Sequence, residues 1–209
     1  MAKTRKEKNM ENVVKVALES FIEKGIDNSK IADIAKSAGL TERTVFRYFD
    51  TKADLVVNAL LLFWEKSKRS IALLSSKAGY EEKSGIEQME IIIRGYADLY
   101  FTSINELIFY HEAQTYLYRT GKAIFIEDSY IIPYKPGSGP FAKAIEKGKA
   151  DGTVCTGIES EIIYYNSFDS LSGLIQKLAL IGGDDPAYKK YAGKRIADFC
   201  STLIRAYKK

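Results

Sequence analysis

Apolar residues recur along this chain at helical intervals, and strand-like alternation bounded by turns is nearly absent. Val14, Ala17, Leu18 and Phe21 fall at i, i+3, i+4 and i+7, the stripe of a first helix that Gly25 would close. Ile31, Ile34 and Ala35 predict a short second helix over about residues 29–37, followed by a tight turn at Ala38, Gly39 and Leu40. Thr41 is placed to cap a third helix whose inward residues are Val45 and Phe49. Thr51 with Asp54 resembles a capping box and opens a fourth helix that continues to about residue 75.

Past a Gly- and Lys-rich break at residues 76–83 the start signals repeat, as Ser84 with Glu87, Ser103 with Glu106 and Thr156 with Glu159. Residues 134–140 form a turn-rich loop, and the helical pattern returns over 141–150 before stopping at Asp151 and Gly152. Asp185 before Pro186 starts the last helix, with Ala192, Ile196, Phe199, Leu203 and Ala206 on one stripe. The pattern predicts an all-α fold, with a short-helix module over residues 1–52 and a larger helical body over 53–209.

Composition narrows the classes. With 46% hydrophobic and 28% charged residues over 209 positions, the chain can bury a substantial core. Its longest apolar run, residues 59–64, is far below the roughly 20 residues of a membrane span. The polar start MAKTRKEKN is not a signal sequence, so a cytoplasmic protein with no membrane partner is expected. Cys155 and Cys200 lack metal or redox spacing and are expected to be reduced packing residues. A net charge of +4 decides little, but Lys3, Arg5, Lys6 and Lys8 crowd the N-terminus. Such a cluster suits a basic arm that meets phosphates, and equally a solvated tail.

Two short helices joined by a Gly-containing turn have the helix-turn-helix arrangement, in which the second helix enters the major groove of DNA. Spacing alone is weak evidence, and the outward face of the third helix strengthens it. Arg43 and Arg47 are four apart and therefore neighbours, with Thr44 and Tyr48 beside them. These are groups suited to phosphates and base edges. The stretch IAKSAGLTERTVFRYFDTKADL at 34–55 resembles the signature of the TetR family of bacterial regulators. Its markers are the Ile-Ala pair, the Ala-Gly turn, an aromatic three before the closing Phe49, and Lys52. A looser similarity covers residues 141–154.

That resemblance implies about nine helices, an N-terminal DNA-binding module, a divergent ligand-binding body and a homodimer made through the last two helices. Carried over by position, Thr41, Phe46, Tyr48 and Lys52 would contact the DNA backbone, while Glu42, Arg43, Thr44 and Arg47 could reach bases. Phe46 stands where Tyr is usual, which removes a hydroxyl bond to phosphate. Lys30 stands where Thr often caps the second helix, so the cap is expected to pass to Ser29, with Lys30 offering charge. The implied partners are a double-stranded DNA operator and a small-molecule effector of unknown identity.

The body is rich in aromatic residues, including Phe125, Tyr130 and Tyr134, and each buried Tyr needs a partner for its hydroxyl. An aromatic cavity for a small apolar or aromatic ligand fits this composition, as does plain interhelical packing. Trp64, Tyr96 and Tyr100 are the candidate pocket residues. His111, the single histidine, lacks a second ligand or catalytic partner at useful spacing, and no cofactor or metal is expected. No nucleophile elbow, phosphate-binding Gly loop or dinucleotide fingerprint is present, which argues against an enzyme. The reading is a ligand-released repressor on a palindromic operator. The alternative is a DNA-binding regulator that answers to a protein partner or has no small-molecule effector.

Overall fold

A computed structural model describes residues 3–122, 137–182 and 185–209. As the periodicity predicts, the fold is all-α. The described residues form nine helices of seven or more residues and one single helical turn. In chain order these are α1 (Arg5–Lys24), α2 (Ile31–Ser37), α3 (Glu42–Tyr48), α4 (Lys52–Ser75), α5 (Gly85–Ala97), the turn α6 (Leu99–Thr102), α7 (Ile104–Arg119), α8 (Gly139–Ala150), α9 (Ser160–Gly182) and α10 (Pro186–Tyr207). The aromatics Phe125, Tyr130 and Tyr134, and residues 134–136 of the 134–140 loop, lie outside the described residues, while its end at Gly139 and Pro140 already belongs to α8.

The helices divide into two compact units, one of residues 3–66 and 108–122 and the other of 67–107, 137–182 and 185–209. The division falls within α4 and within α7. In the first unit the core consists of Val13, Ala17, Leu18 and Phe21 from α1, Ile31, Ile34 and Ala35 from α2, and Val45 with Phe49 at α3. Val13, not Val14, is the fully buried valine of α1. Phe109 of α7 stacks on Phe21 with ring centroids 6.1 Å apart. The Glu112 carboxylate accepts the Ile26 backbone N–H at 2.6 Å, which holds α7 to the link between α1 and α2.

In the second unit α5 and α8 approach closely at two glycines. A Cβ on Gly85 would lie 2.0 Å from the backbone nitrogen of Gly148, so only hydrogen fits there. Asp151 and Thr153, just past α8, accept the Gly85 and Ile86 N–H groups at 2.8 and 3.2 Å and serve two of the orphan donors at the start of α5. Tyr96, Phe141, Tyr164 and Phe168 pack their rings together, with centroid separations of 4.9–5.9 Å. Around them α9 and α10 bury Leu171, Ile175, Leu178, Ile196 and Leu203. The chain end is fastened by Cys155 N–H donating to the Tyr207 carbonyl at 2.9 Å. Cys155 and Cys200 are both free thiols.

Candidate nucleic-acid interface

The turn between α2 and α3 depends on local chemistry. Gly39 adopts φ +70, a left-handed conformation that side-chain-bearing residues rarely adopt. The Leu40 N–H then reaches back to the Ala35 carbonyl at 2.9 Å, closing the end of α2. Asn12 of α1 donates to the Ala38 carbonyl at 3.1 Å and pins the turn to the first helix. Thr41 caps α3 as expected, its hydroxyl accepting the Thr44 N–H at 3.2 Å.

With Val45 and Phe49 buried, the other residues of α3 are turned outward by the helical period. Glu42, Arg43, Phe46 and Arg47 are exposed, while Thr44 and Tyr48 are half-buried. Phe46 leaves 42% of its surface in solvent, unusual for a large apolar ring unless something else covers it. The Arg47 guanidinium lies over the Tyr48 ring, 5.5 Å from its centroid.

The N-terminal residues join this face. Arg5, Lys6 and Asn9 of α1 and Thr44, Arg47 and Tyr48 of α3 line an open cleft of about 400 Å³. Hydrogen bonds from Asn9 and then Arg47 hold the Tyr48 phenol below its usual pKa, with Lys6 adding positive potential. Three cationic side chains therefore line one cleft with an amide and hydroxyl groups, a donor-rich surface suited to phosphate oxygens.

Sequence reasoning missed this cleft as a unit, because it took the basic segment for an arm or a tail. The segment is instead the first turns of α1. Thr4 and Glu7 form a reciprocal capping box in which the Thr4 N–H donates to Glu7 at 2.7 Å. The signal was present as Thr-x-x-Glu at residues 4–7, and it places Arg5 and Asn9 four apart on one helical face.

Two further positions differ from expectation. Ser29 does not cap α2, which starts from Lys30 with no side-chain cap. Ser29 is buried, and its hydroxyl donates instead to the Gly25 and Ser20 carbonyls at 2.8 and 3.1 Å. It thus ties the loop to α1, and Lys30 beside it is exposed. Lys52 is half-buried at the start of α4, its ammonium 3.4 Å from the Asp27 carbonyl. Burial lowers its pKa, against the opposing pull of Asp27 and Glu112.

The candidate pocket residues fall in different units. Trp64 is buried in the first, its ring edge-on to Tyr110 at 5.0 Å and tilted against Phe63 at 4.9 Å. Tyr96 and Tyr100 are buried in the second, Tyr96 against Phe168 and Tyr100 against Phe101. The Tyr100 hydroxyl has no hydrogen-bond partner among the described residues, and burial raises its pKa. Among the described residues no group of three or more His, Cys, Asp and Glu side chains could hold a metal ion.

Residues 13–59, which contain the turn and the outward face of α3, match the model of a family described as "Bacterial regulatory proteins, tetR family". The N-terminal module is that of the TetR family. The fold of the whole chain agrees. A tetR-family transcription regulator from Shewanella sp. PV-4 is 19% identical, covers 96% of this chain and 98% of its own, and has a TM-score of 0.63. The fatty acid degradation regulator FadR from Bacillus halodurans is 12% identical over 98% of this chain and 97% of its own, with a TM-score of 0.64. FadR from Bacillus subtilis, solved in complex with stearoyl-CoA, is 14% identical over 93% of this chain and 95% of its own, with a TM-score of 0.60. No curated protein sequence matches the chain. The tetR-family match thus lies in the N-terminal module, the whole chain shares the fold of these regulators, and no helix among the described residues is long and apolar enough to cross a membrane.

Proposed function

We propose that the protein is a homodimeric repressor that holds a palindromic operator and releases it when a small apolar or aromatic molecule binds the helical body. The observation that carries this reading is the cleft between α1 and α3, where Arg5, Lys6 and Arg47 converge beside the exposed base-reading face of Glu42, Arg43 and Thr44. Thr41, Phe46, Tyr48 and Lys52 serve the DNA backbone, Phe46 by ring packing against sugar. The ligand arm of the proposal draws on the aromatic content around Trp64, Tyr96 and Tyr100, and on a similar fold crystallised with stearoyl-CoA. The lever is α4, a continuous helix that starts beside the DNA-binding module and runs from Lys52 to Ser75. Coupling of this type amounts to about 1–3 kcal/mol and acts reciprocally on ligand and DNA.

Selection of bound sequences from random duplex DNA tests the proposal. The expected product is an inverted repeat with half-sites about 34–36 Å apart centre to centre, or a multiple of that spacing. Enrichment of no sequence would reject specific DNA binding. Once the operator is known, a screen for small molecules that release it tests the effector. Release only by another protein would support the alternative form of control.

A further inference from the structure

The outward part of α3 is divided by chemistry into two flanks. Thr44, Arg47 and Tyr48 line the cleft shared with Arg5, Lys6 and Asn9, so the flank beside α1 is cationic and rich in hydrogen-bonding groups. Phe46 stands on the other flank with Glu42 and Arg43, which precede it by four and three residues and so share its side of the helix. Val45 next to it is 1% exposed and belongs to the core, whereas the Phe46 ring keeps 42% of its surface in solvent. An exposed phenyl ring among Glu and Arg side chains holds apolar surface against water, and covering it is favourable.

The ring carries no hydrogen-bonding atom, so a phosphate oxygen offers it no bond. A duplex presents two kinds of apolar group to it in the major groove. The carbon-bound hydrogens of deoxyribose are alike at every nucleotide, while the C5-methyl belongs to thymine alone among the four bases. That methyl projects from the outer side of the groove edge, next to the sugar backbone of its own strand, so one ring can cover both. We propose that Phe46 determines sequence specificity by covering the C5-methyl of a thymine in each half-site, with its ring resting on the adjacent sugar. The inference rests on the operator binding proposed above and assigns one base of the half-site. It also gives a use to the phenyl ring that a phosphate contact does not.

Replacing thymine by uracil removes the methyl group and leaves every hydrogen-bonding group in the groove unchanged, so it isolates this contact. Fluorescence anisotropy of the protein on the operator obtained by selection, with deoxyuridine in place of thymidine at each position in turn, tests the proposal. One symmetric pair of positions is expected to lose about fourfold in affinity per half-site, the effect of withdrawing one methyl group from an apolar contact. The ratio between thymine and uracil duplexes should be the same at about 50 and about 200 mM salt, because a methyl contact displaces no counterion. In Phe46→Ala the ratio should fall to one, while Phe46→Leu, which keeps an apolar side chain, should retain part of it. Arg5→Ala, in the cleft on the opposite flank, should weaken both duplexes equally and preserve the ratio, which separates loss of affinity from loss of methyl recognition. An operator from which every thymine methyl can be removed without loss of affinity would overturn the proposal and leave operator binding intact. A uracil effect that survives undiminished in Phe46→Ala would do the same. Enrichment of no sequence from random DNA would overturn both.

Discussion

At the scale of single residues, the proposed function gives Arg43 of α3 and Arg5 of α1 two different kinds of DNA contact. Arg43 is exposed on α3, and in the proposed function its guanidinium reaches base edges. Arg43→Ala is therefore expected to cost about 1–3 kcal/mol of specific affinity and to relax preference at one base pair of the selected operator. Arg5 lies in the cleft beside Tyr48 and suits a phosphate. Arg5→Ala should weaken all sequences alike and reduce the slope of log K against log salt by about one. Fluorescence anisotropy over a salt series distinguishes the two, and identical behaviour of both variants would contradict these roles. The outward residues of α3 were legible in the sequence because a helix with Val45 and Phe49 inward leaves its other faces no alternative. Arg5 and Asn9 were less so, since the packing of α1 beside α3 is a tertiary fact. Ser29 was misread for a related reason. A serine before a helix is a good cap by local rules, but the carbonyls of Ser20 and Gly25 come within its reach only after the chain folds back.

At the scale of helices, the start signals were the most dependable part of the sequence. Thr51 with Asp54, Ser84 with Glu87, and Asp185 before Pro186 all open helices with the expected hydrogen bonds, whereas Thr156 with Glu159 does not, since α9 begins only at Ser160. These caps imply a pH dependence. Glu7, Asp54, Glu87 and Asp151 all have lowered pKa values, chiefly through bonds from Thr4, Thr51, Ser84 and Thr153 respectively. A carboxylate with a depressed folded pKa contributes stability that is complete above its unfolded value of about 4 and is lost as the pH falls through the folded value. The thermal midpoint should therefore be flat from pH 7 to about 5 and drop below pH 4, with a shallower drop in Asp54→Asn and Glu87→Gln. An unchanged acid limb in both variants would remove the caps as its cause. The close approach of α5 to α8 was not legible, because the reason for Gly85 lies in another helix. Gly85→Ala puts a methyl group against the backbone of Gly148, which has no rotamer with which to yield. The expected cost is about 1–3 kcal/mol or more, read as a lower urea midpoint, even though alanine has the higher helix propensity. A midpoint equal to or above the wild type would show that the helices separate freely.

For the whole molecule, the open question at the surface of the second unit is what covers the apolar residues that remain on α9 and α10. Ile162, Leu180 and Ile181 of α9 are 46–60% exposed, and Tyr191 of α10 is 56% exposed. On α9, residues 162, 165, 169, 173, 177 and 180 follow one another at intervals of three and four and so share a face. Gly173 on that face has nothing among the described residues within 4 Å of where a Cβ would stand, which leaves room for another helix. On α10, Tyr191, Arg195 and half-buried Phe199 form a second row, with the Arg195 guanidinium 5.7 Å from the Tyr191 ring centroid. A second copy of the chain, related by a two-fold axis, would bury both rows in a four-helix bundle and supply the second recognition helix that a palindrome needs. Because every residue at a two-fold interface acts twice, a single added charge per chain introduces two. Ile162→Glu and Leu180→Glu should therefore convert the dimer to monomer in light scattering at micromolar concentration. The exposure of both sites means that each variant should keep its helical circular dichroism, so loss of assembly can be told from loss of fold. The monomers should still bind a half-site weakly but lose cooperative binding to the full operator. A dimer of unchanged stability in both variants would move the interface away from the exposed rows of α9. A wild-type chain that is monomeric at that concentration while gripping its operator would exclude the two-fold bundle altogether.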